Sequence, residues 1–375
     1  MEILTKQQID ELWNKIDKKL ARVAISAREK LPYTTIDGVY DDHSHEGADG
    51  VDWWTNGFWA GMMWLMYAGT KNEEYKITAR RSEELLDKAL LAPQKLYHDV
   101  GFMWQLSSSA DYQLTKNQKS FERSLAAANT LAGRYNVRGG YIRAWNGNGN
   151  EGSAIIDCMM NLPILYWASD AIGDDRYRYI AMNHADKTMA NHVRPDGSVN
   201  HILHYYPENG EIEENIGGQG YCEGSSWSRG QAWGLYGFTL SYIHTKEQRY
   251  LDTAKKIANY FIAACCDDYL PRCDFRAPAQ PVIYDSSAGL IAACGLLELS
   301  KLVGEYEKDM YYNAACRFVK AAAENFTDWS DETDAIITHG TEAYHADRHH
   351  IAMIYSDFYF VEAVNKLKGF NTFLW

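Results

Sequence analysis

The sequence predicts an all-α protein built as an (α/α)6 barrel of six helical hairpins. Three observations carry this: apolar residues recur at three-to-four spacing almost throughout, no Pro-, Gly- or Ser-rich linker breaks the chain, and one motif returns five times. The motif is a turn rich in Thr, Lys, Asn, Gly or Asp, then an aromatic, then a small or apolar residue four positions on. In order, the copies are TKNEEYKITA (Tyr75, Ala79), TKNQKSFERSL (Phe121, Leu125), IGDDRYRYIA (Tyr177, Ala181), TKEQRYLDTA (Tyr250, Ala254) and GEYEKDMYYNAA (Tyr311, Ala315). Residues four apart share one face of a helix, so each copy marks the bend of a hairpin. Five bends give about ten helices, and the periodic segments over roughly 6–31 and 351–367 bring the total to about twelve. A superhelical array is the other way to stack hairpins. Unequal intervals between copies fit a closed barrel better, read here as a single domain over residues 1–375.

Periodicity breaks at 34–53, 136–153, 194–226, 267–284 and 328–350, segments that hold most of the His and Gly and can wall one mouth of the barrel. Hydrophobic residues at 46% provide for a large core, and 26 Tyr with 12 Trp supply rings suited both to that core and to a sugar cleft. A formal charge of −13 argues against nucleic acid or an anionic membrane surface as partner. A small acidic substrate stays open, provided Arg, His or amide groups collect locally. The segment MEILTKQQIDELWNKIDKKL is charged and amphipathic, without the apolar stretch of a signal peptide, so a cytoplasmic location is expected. Cys158, Cys265, Cys266, Cys294 and Cys316 stand in apolar helical stretches without metal-ligand spacing and read as buried thiols. His349 and His350 are adjacent, and His201 and His204 lack a zinc-protease Glu, so no metal site and no cofactor is expected.

Three segments carry the candidate chemistry. In KLYHDVGFMWQLS, His98 and Asp99 precede a helix start, where the helix dipole favours an ionised carboxylate and where Asp99 could equally serve as an N-cap. In GSAIIDCMMNLPILYWAS, Asp157 lies among Ile155, Ile156, Cys158, Met159 and Met160, an apolar setting expected to raise its pKa as general acid catalysis requires. In GQGYCEGSSWSRGQAWGLYGF, Arg229 is a candidate for meeting a substrate carboxylate, and Trp233, four residues on, for stacking beside it. Trp53, Trp54, Phe58 and Trp59 in DWWTNGFWAGMMW, and Trp145 in RAWNGNGNEG, add aromatics at loop-to-helix junctions.

The ordered segments DWWTNGFWAG, HDVGFMWQLS, IIDCMMNLP, HILHYYPENG, SSWSRGQAWGLYGF, YDSSAGLIAACGLLEL and YSDFYFVEA resemble the unsaturated glucuronyl hydrolases, glycoside hydrolase family 88, over about residues 51–367. The resemblance implies an (α/α)6 barrel, with Asp157 as acid/base and Asp99 as the second essential carboxylate. It implies sugar contacts at His98, His201, Gln219, Arg229 and Trp233, and cleft aromatics at Trp54 and Trp145. The implied substrate is a small acidic oligosaccharide from glycosaminoglycans, carrying a 4,5-unsaturated uronate at its non-reducing end. Asp157 would protonate C4, then activate water toward C5, while Asp99 stays ionised. Unsaturated rhamnogalacturonyl hydrolases share this chemistry and form the nearest alternative; a sugar isomerase or a non-catalytic sugar-binding barrel is the alternative of another class.

Overall fold

The computed structural model describes residues 2–370 and 372–375, and over them helices alternate between two concentric rings. The outer ring holds α1 (Lys6–Ser26), α3 (Glu73–Leu90), α6 (Gln118–Ala132), α8 (Arg176–Asn191), α10 (Gln248–Cys265) and α12 (Glu305–Asn325). The inner ring holds α2 (Phe58–Thr70), α4 (Val100–Trp104), α5 (Ala110–Thr115), α7 (Pro163–Ile172), α9 (Ser228–Thr245), α11 (Ser286–Leu299) and α13 (Ile354–Leu367). A π-turn, Gln105–Ser109, joins α4 and α5 into one rod, so thirteen segments make the twelve helices expected. Neighbours pack around the inner ring, and α13 closes it on α2.

The rings differ because their sequences do. On α11 every residue from Ser286 to Leu299 is buried, as suits a helix with partners on all sides. On α10 only a stripe is buried, Tyr250, Thr253, Ala254, Ile257, Ala258 and Phe261 among it. The repeated turns are the bends from inner to outer helix. At four of them the chain reverses through a left-handed residue, Lys71, Lys116, Gly173 or Lys246.

The repeated aromatic links consecutive outer helices. Tyr75 donates its hydroxyl to Asp17 Oδ1 on α1 at 2.6 Å, and Tyr177 to Asn129 Oδ1 on α6 at 2.6 Å. Tyr250 donates to the Met182 carbonyl on α8 at 3.2 Å, and Tyr311 to Asn259 Oδ1 on α10 at 3.1 Å. The second copy departs from the expectation. Phe121 and Leu125 are only partly covered, and the buried register one residue earlier belongs to Ser120 and Ser124. Ser120 makes the equivalent link, to Glu83 on α3 at 2.7 Å. Each neutral bond of this kind contributes about 1 kcal/mol net. Cys266 also departs from expectation, being exposed, while Cys158, Cys265, Cys294 and Cys316 are buried.

The long loops contain strands that helical periodicity does not foresee. Ser153–Ile155, Ile202–Tyr205 and Ile212–Ile216 form an antiparallel sheet, with Ile155 opposite Ile202 and Ile202 opposite Ile216. Just beyond it Ile156 N–H donates to the His201 carbonyl at 3.0 Å, which sets Asp157 beside His201. At the C-terminal end, Trp375 is buried among Tyr236, Phe358 and Tyr359 and donates Nε1–H to Glu362 at 2.8 Å. Among the described residues no helix is long and apolar enough to cross a membrane.

Candidate active site

A cavity of about 370 Å³ is lined by Asp49, Asp52, Trp53, Trp54, Tyr97, His98, Asp99, Trp145, Asp157, Gln219 and Arg229, with Ala48 and Ile155. That volume lies within the range of small-ligand pockets, near its lower end. Asp99 and Asp157 stand in its wall with 13% and 14% of their side chains accessible, so they reach solvent through the cavity.

Each carboxylate has its own imidazole, and the two pairs differ in their protons. His98 Nδ1 lies 3.0 Å from the Ala144 carbonyl, which has no hydrogen to give, so Nδ1 donates. Its Nε2 then faces Asp99 Oδ1 at 3.2 Å, a contact that needs one proton between them. Arg134 holds this arrangement from behind, donating to the carbonyls of Leu96, Arg143 and Ala144 and to Asn146 Oδ1. In the other pair the backbone N–H of Gln219 donates to His201 Nδ1 at 3.1 Å, leaving that nitrogen bare. His201 Nε2 carries the hydrogen and faces Asp157 Oδ2 at 3.5 Å. Gly218 is required here: at φ 60° a Cβ would sit 2.2 Å from His201 Nδ1.

The electrostatic order is the reverse of the one expected from sequence. Burial pushes Asp99 above the usual carboxylate range; His98 and Arg134 oppose this and the Asp157 charge reinforces it. Burial also pushes Asp157 up, but the His201 imidazole that faces it, together with His98 and Arg229, brings it below that range. The apolar neighbours of Asp157 in sequence do not decide its proton affinity, because His201, just before the strand Ile202–Tyr205 and 44 positions away, reaches it.

Arg229 lines the cavity but is already engaged. Its guanidinium pairs with buried Asp285 and donates to the carbonyls of Thr341 at 2.8 Å and Glu342 at 2.7 Å. The rings of Trp227 and Tyr355 lie 4.6 and 5.5 Å from its centre. Gln219 Nε2 reaches the same Glu342 carbonyl at 2.6 Å. The two residues expected to hold sugar thus clamp the 341–342 turn, and the Arg229 charge is largely neutralised by Asp285. Trp233 needs a fuller correction: it lies outside the cavity wall, buried against Phe102 at 5.1 Å and Tyr359 at 5.6 Å. Helical spacing placed it one turn below Arg229, and one turn deeper in an inner helix is core.

Trp54 and Trp145 do line the cavity. Trp54 rests on Tyr355 at 5.0 Å, and Trp145 meets His98 edge-on at 6.3 Å. Trp53 joins them, whereas Phe58 and Trp59 are core. Asp49, Asp52 and Tyr97 were not foreseen, because nothing in a loop sequence tells which of its polar residues will turn inward. Asp285, in YDSSAGL, carries no local mark of its pairing with Arg229. Among the described residues no group of three or more His, Cys, Asp or Glu is arranged to hold a metal ion.

A double ring of helices with two carboxylates in the wall of a sugar-sized cavity, His98 beside one in that wall and His201 behind the other and outside it, defines a glycoside hydrolase of the (α/α)6 class. No family model matches the chain. It is 37% identical to the unsaturated glucuronyl hydrolase of Bacillus sp. (strain GL1) over 339 residues, 87% of this chain and 89% of that one. It is 31% identical to the unsaturated chondroitin disaccharide hydrolase of Streptococcus pneumoniae (strain ATCC BAA-255 / R6), over 96% of this chain and 92% of that one. The solved unsaturated glucuronyl hydrolase from Streptococcus agalactiae superposes with a TM-score of 0.90, at 29% identity, over 100% of this chain and 95% of that one. The chain belongs to the unsaturated glucuronyl hydrolase family.

Proposed function

We propose that this enzyme removes a 4,5-unsaturated uronic acid from the non-reducing end of glycosaminoglycan-derived oligosaccharides, with Asp157 as acid and then base. The observation that carries the reading is the pair of cavity-facing carboxylates, each set against its own imidazole. The relatives support the substrate class: those cited are named for glucuronyl or chondroitin substrates, and an S. agalactiae variant was solved in complex with dGlcA-GalNAc6S. This favours the glycosaminoglycan reading over the pectin one.

Such a uronate is an enol ether. Asp157 passes its proton to C4, leaving positive charge at C5 shared with the ring oxygen. Ionised again, Asp157 takes a proton from water as the water oxygen bonds to C5. The resulting hemiketal opens to a ketone, and the freed C1 hemiacetal expels the aglycone. Asp157 is the more acidic of the two carboxyls, so catalysis requires that it gain its proton as substrate binds. The substrate's negative charge and the displacement of water from the cavity both favour that gain. Asp99, with Oδ1 toward His98, is assigned to hold the sugar and support the developing cation. Trp54 and Trp145 form the apolar sides of the subsite. Residues 1–375 are read as one catalytic unit, and seven unpaired cysteines support a reducing, cytoplasmic setting.

The test is turnover of unsaturated chondroitin, hyaluronan and heparin disaccharides beside a pectin-derived one, followed by loss of the double-bond ultraviolet absorbance. Reaction in deuterated water is expected to place deuterium at C4 of the released sugar, and its absence there points to direct displacement at the anomeric carbon. Asp157→Asn is expected to lower kcat by about 10³-fold or more with the fold retained. Near-normal turnover removes Asp157 from its role.

A further inference from the structure

We propose that Asn161 is a positioning residue for Asp99: it caps the helix that Asp99 begins, and so leaves the Asp99 carboxylate free to face the cavity. Asp99 occupies the N-cap position of α4 yet makes no side-chain capping bond. An aspartate there ordinarily takes the N–H of the second or third helical residue. In this protein the third, Phe102 N–H, donates instead to Asn161 Oδ1 at 2.7 Å.

Asn161 is fully buried and ends the 3-10 turn Ile156–Met160, the turn that carries Asp157. Its Nδ2 donates back to the Asp157 carbonyl at 3.4 Å. The contact with α4 is close enough to require Gly101, where a Cβ would lie 2.4 Å from the Asn161 Cα. One amide therefore ties the backbone of one carboxylate to the helix of the other. Without it, Phe102 N–H needs another acceptor, and an N-cap aspartate is the usual one: taking that bond would turn the Asp99 carboxylate onto its own helix and away from both His98 and the cavity.

This inference rests on Asp99 being a working carboxylate. The test is a double-mutant cycle on kcat/KM with Asp99→Ala, Asn161→Ala and the double variant, each checked for a cooperative thermal transition. Activity loss in Asp99→Ala tests the underlying reading, and near-wild-type activity there removes it. Given that loss, Asn161→Ala is expected to cost about 10- to 100-fold alone but less than about 3-fold on top of Asp99→Ala, because the carboxylate it positions is gone. Losses that multiply in full assign Asn161 to general stability and overturn the proposal. Asn161→Asp covers the case in which the alanine variant does not fold. Its carboxylate can accept the same N–H, so it is expected to keep about a tenth or more of wild-type kcat/KM, and a deficit as deep as that of Asp99→Ala overturns the proposal.

Discussion

His201 Nε2 stands 3.5 Å from Asp157 Oδ2 while the Gln219 amide occupies its other ring nitrogen. The imidazole hydrogen therefore lies on the nitrogen that faces the carboxylate, and removing the ring takes away the main influence opposing burial. A general acid works below its pKa, so raising that pKa extends activity upward in pH. In His201→Asn the alkaline limb of kcat is expected to move up in pH. A kcat profile from pH 5 to 9 measures this, and a limb that stays or moves down contradicts the relation.

Arg229→Lys separates a clamp from a direct uronate contact. Lysine keeps the charge but cannot serve Asp285, Thr341 and Glu342 together. The buried carbonyls left without a donor cost about 1–3 kcal/mol each. Tm is expected to fall by several degrees along with activity. An unchanged Tm with only KM raised would return Arg229 to the role of substrate ligand.

Two of the tryptophans assigned to the sugar on sequence grounds are expected to fail differently. Trp145→Ala removes a cavity wall, so KM rises by about 10-fold with Tm little changed. Trp233→Ala empties a core position and costs about 3–5 kcal/mol of stability. Thermal melts beside Michaelis curves distinguish them, and the assignment fails if Trp233→Ala leaves Tm intact.

Asp357 provides a pH test of the fold. Burial pushes its carboxyl up to about 6, against hydrogen bonds from Tyr40, Ile337 and Ile336 and the charge of Lys19. Because the folded pKa is raised above an unfolded value of about 3.9, the native state holds this proton more tightly. The associated stability is complete below about pH 4 and is lost as pH rises through about 6, a change on the order of 3 kcal/mol. Wild type minus Asp357→Asn stability, from denaturant melts, is expected to be larger at pH 5 than at pH 7.5. A difference independent of pH contradicts this.

The ring of helices was legible because a barrel helix states its place locally. An outer helix such as α10 alternates faces, an inner one such as α2 or α11 is mostly apolar, and polar turns such as TKN and TKE mark the reversals. The same logic misread Phe121, one residue out of register, because only partner helices reveal which neighbour faces inward. It also passed over the Ser153–Ile155 sheet, whose strands are too short to show a period.

The sequence by itself determined the helical architecture and the family, and it pointed to the two carboxylates as candidates, since these rest on periodicity and on short segments whose order survives in one dimension. Tertiary structure alone decided what those groups are: which imidazole serves which carboxylate, that Arg229 is neutralised by Asp285, and that Trp233 is core. The reason is physical. Proton affinity and access depend on charges and walls brought within a few ångströms by residues far apart in the chain, and local sequence carries no record of that distance.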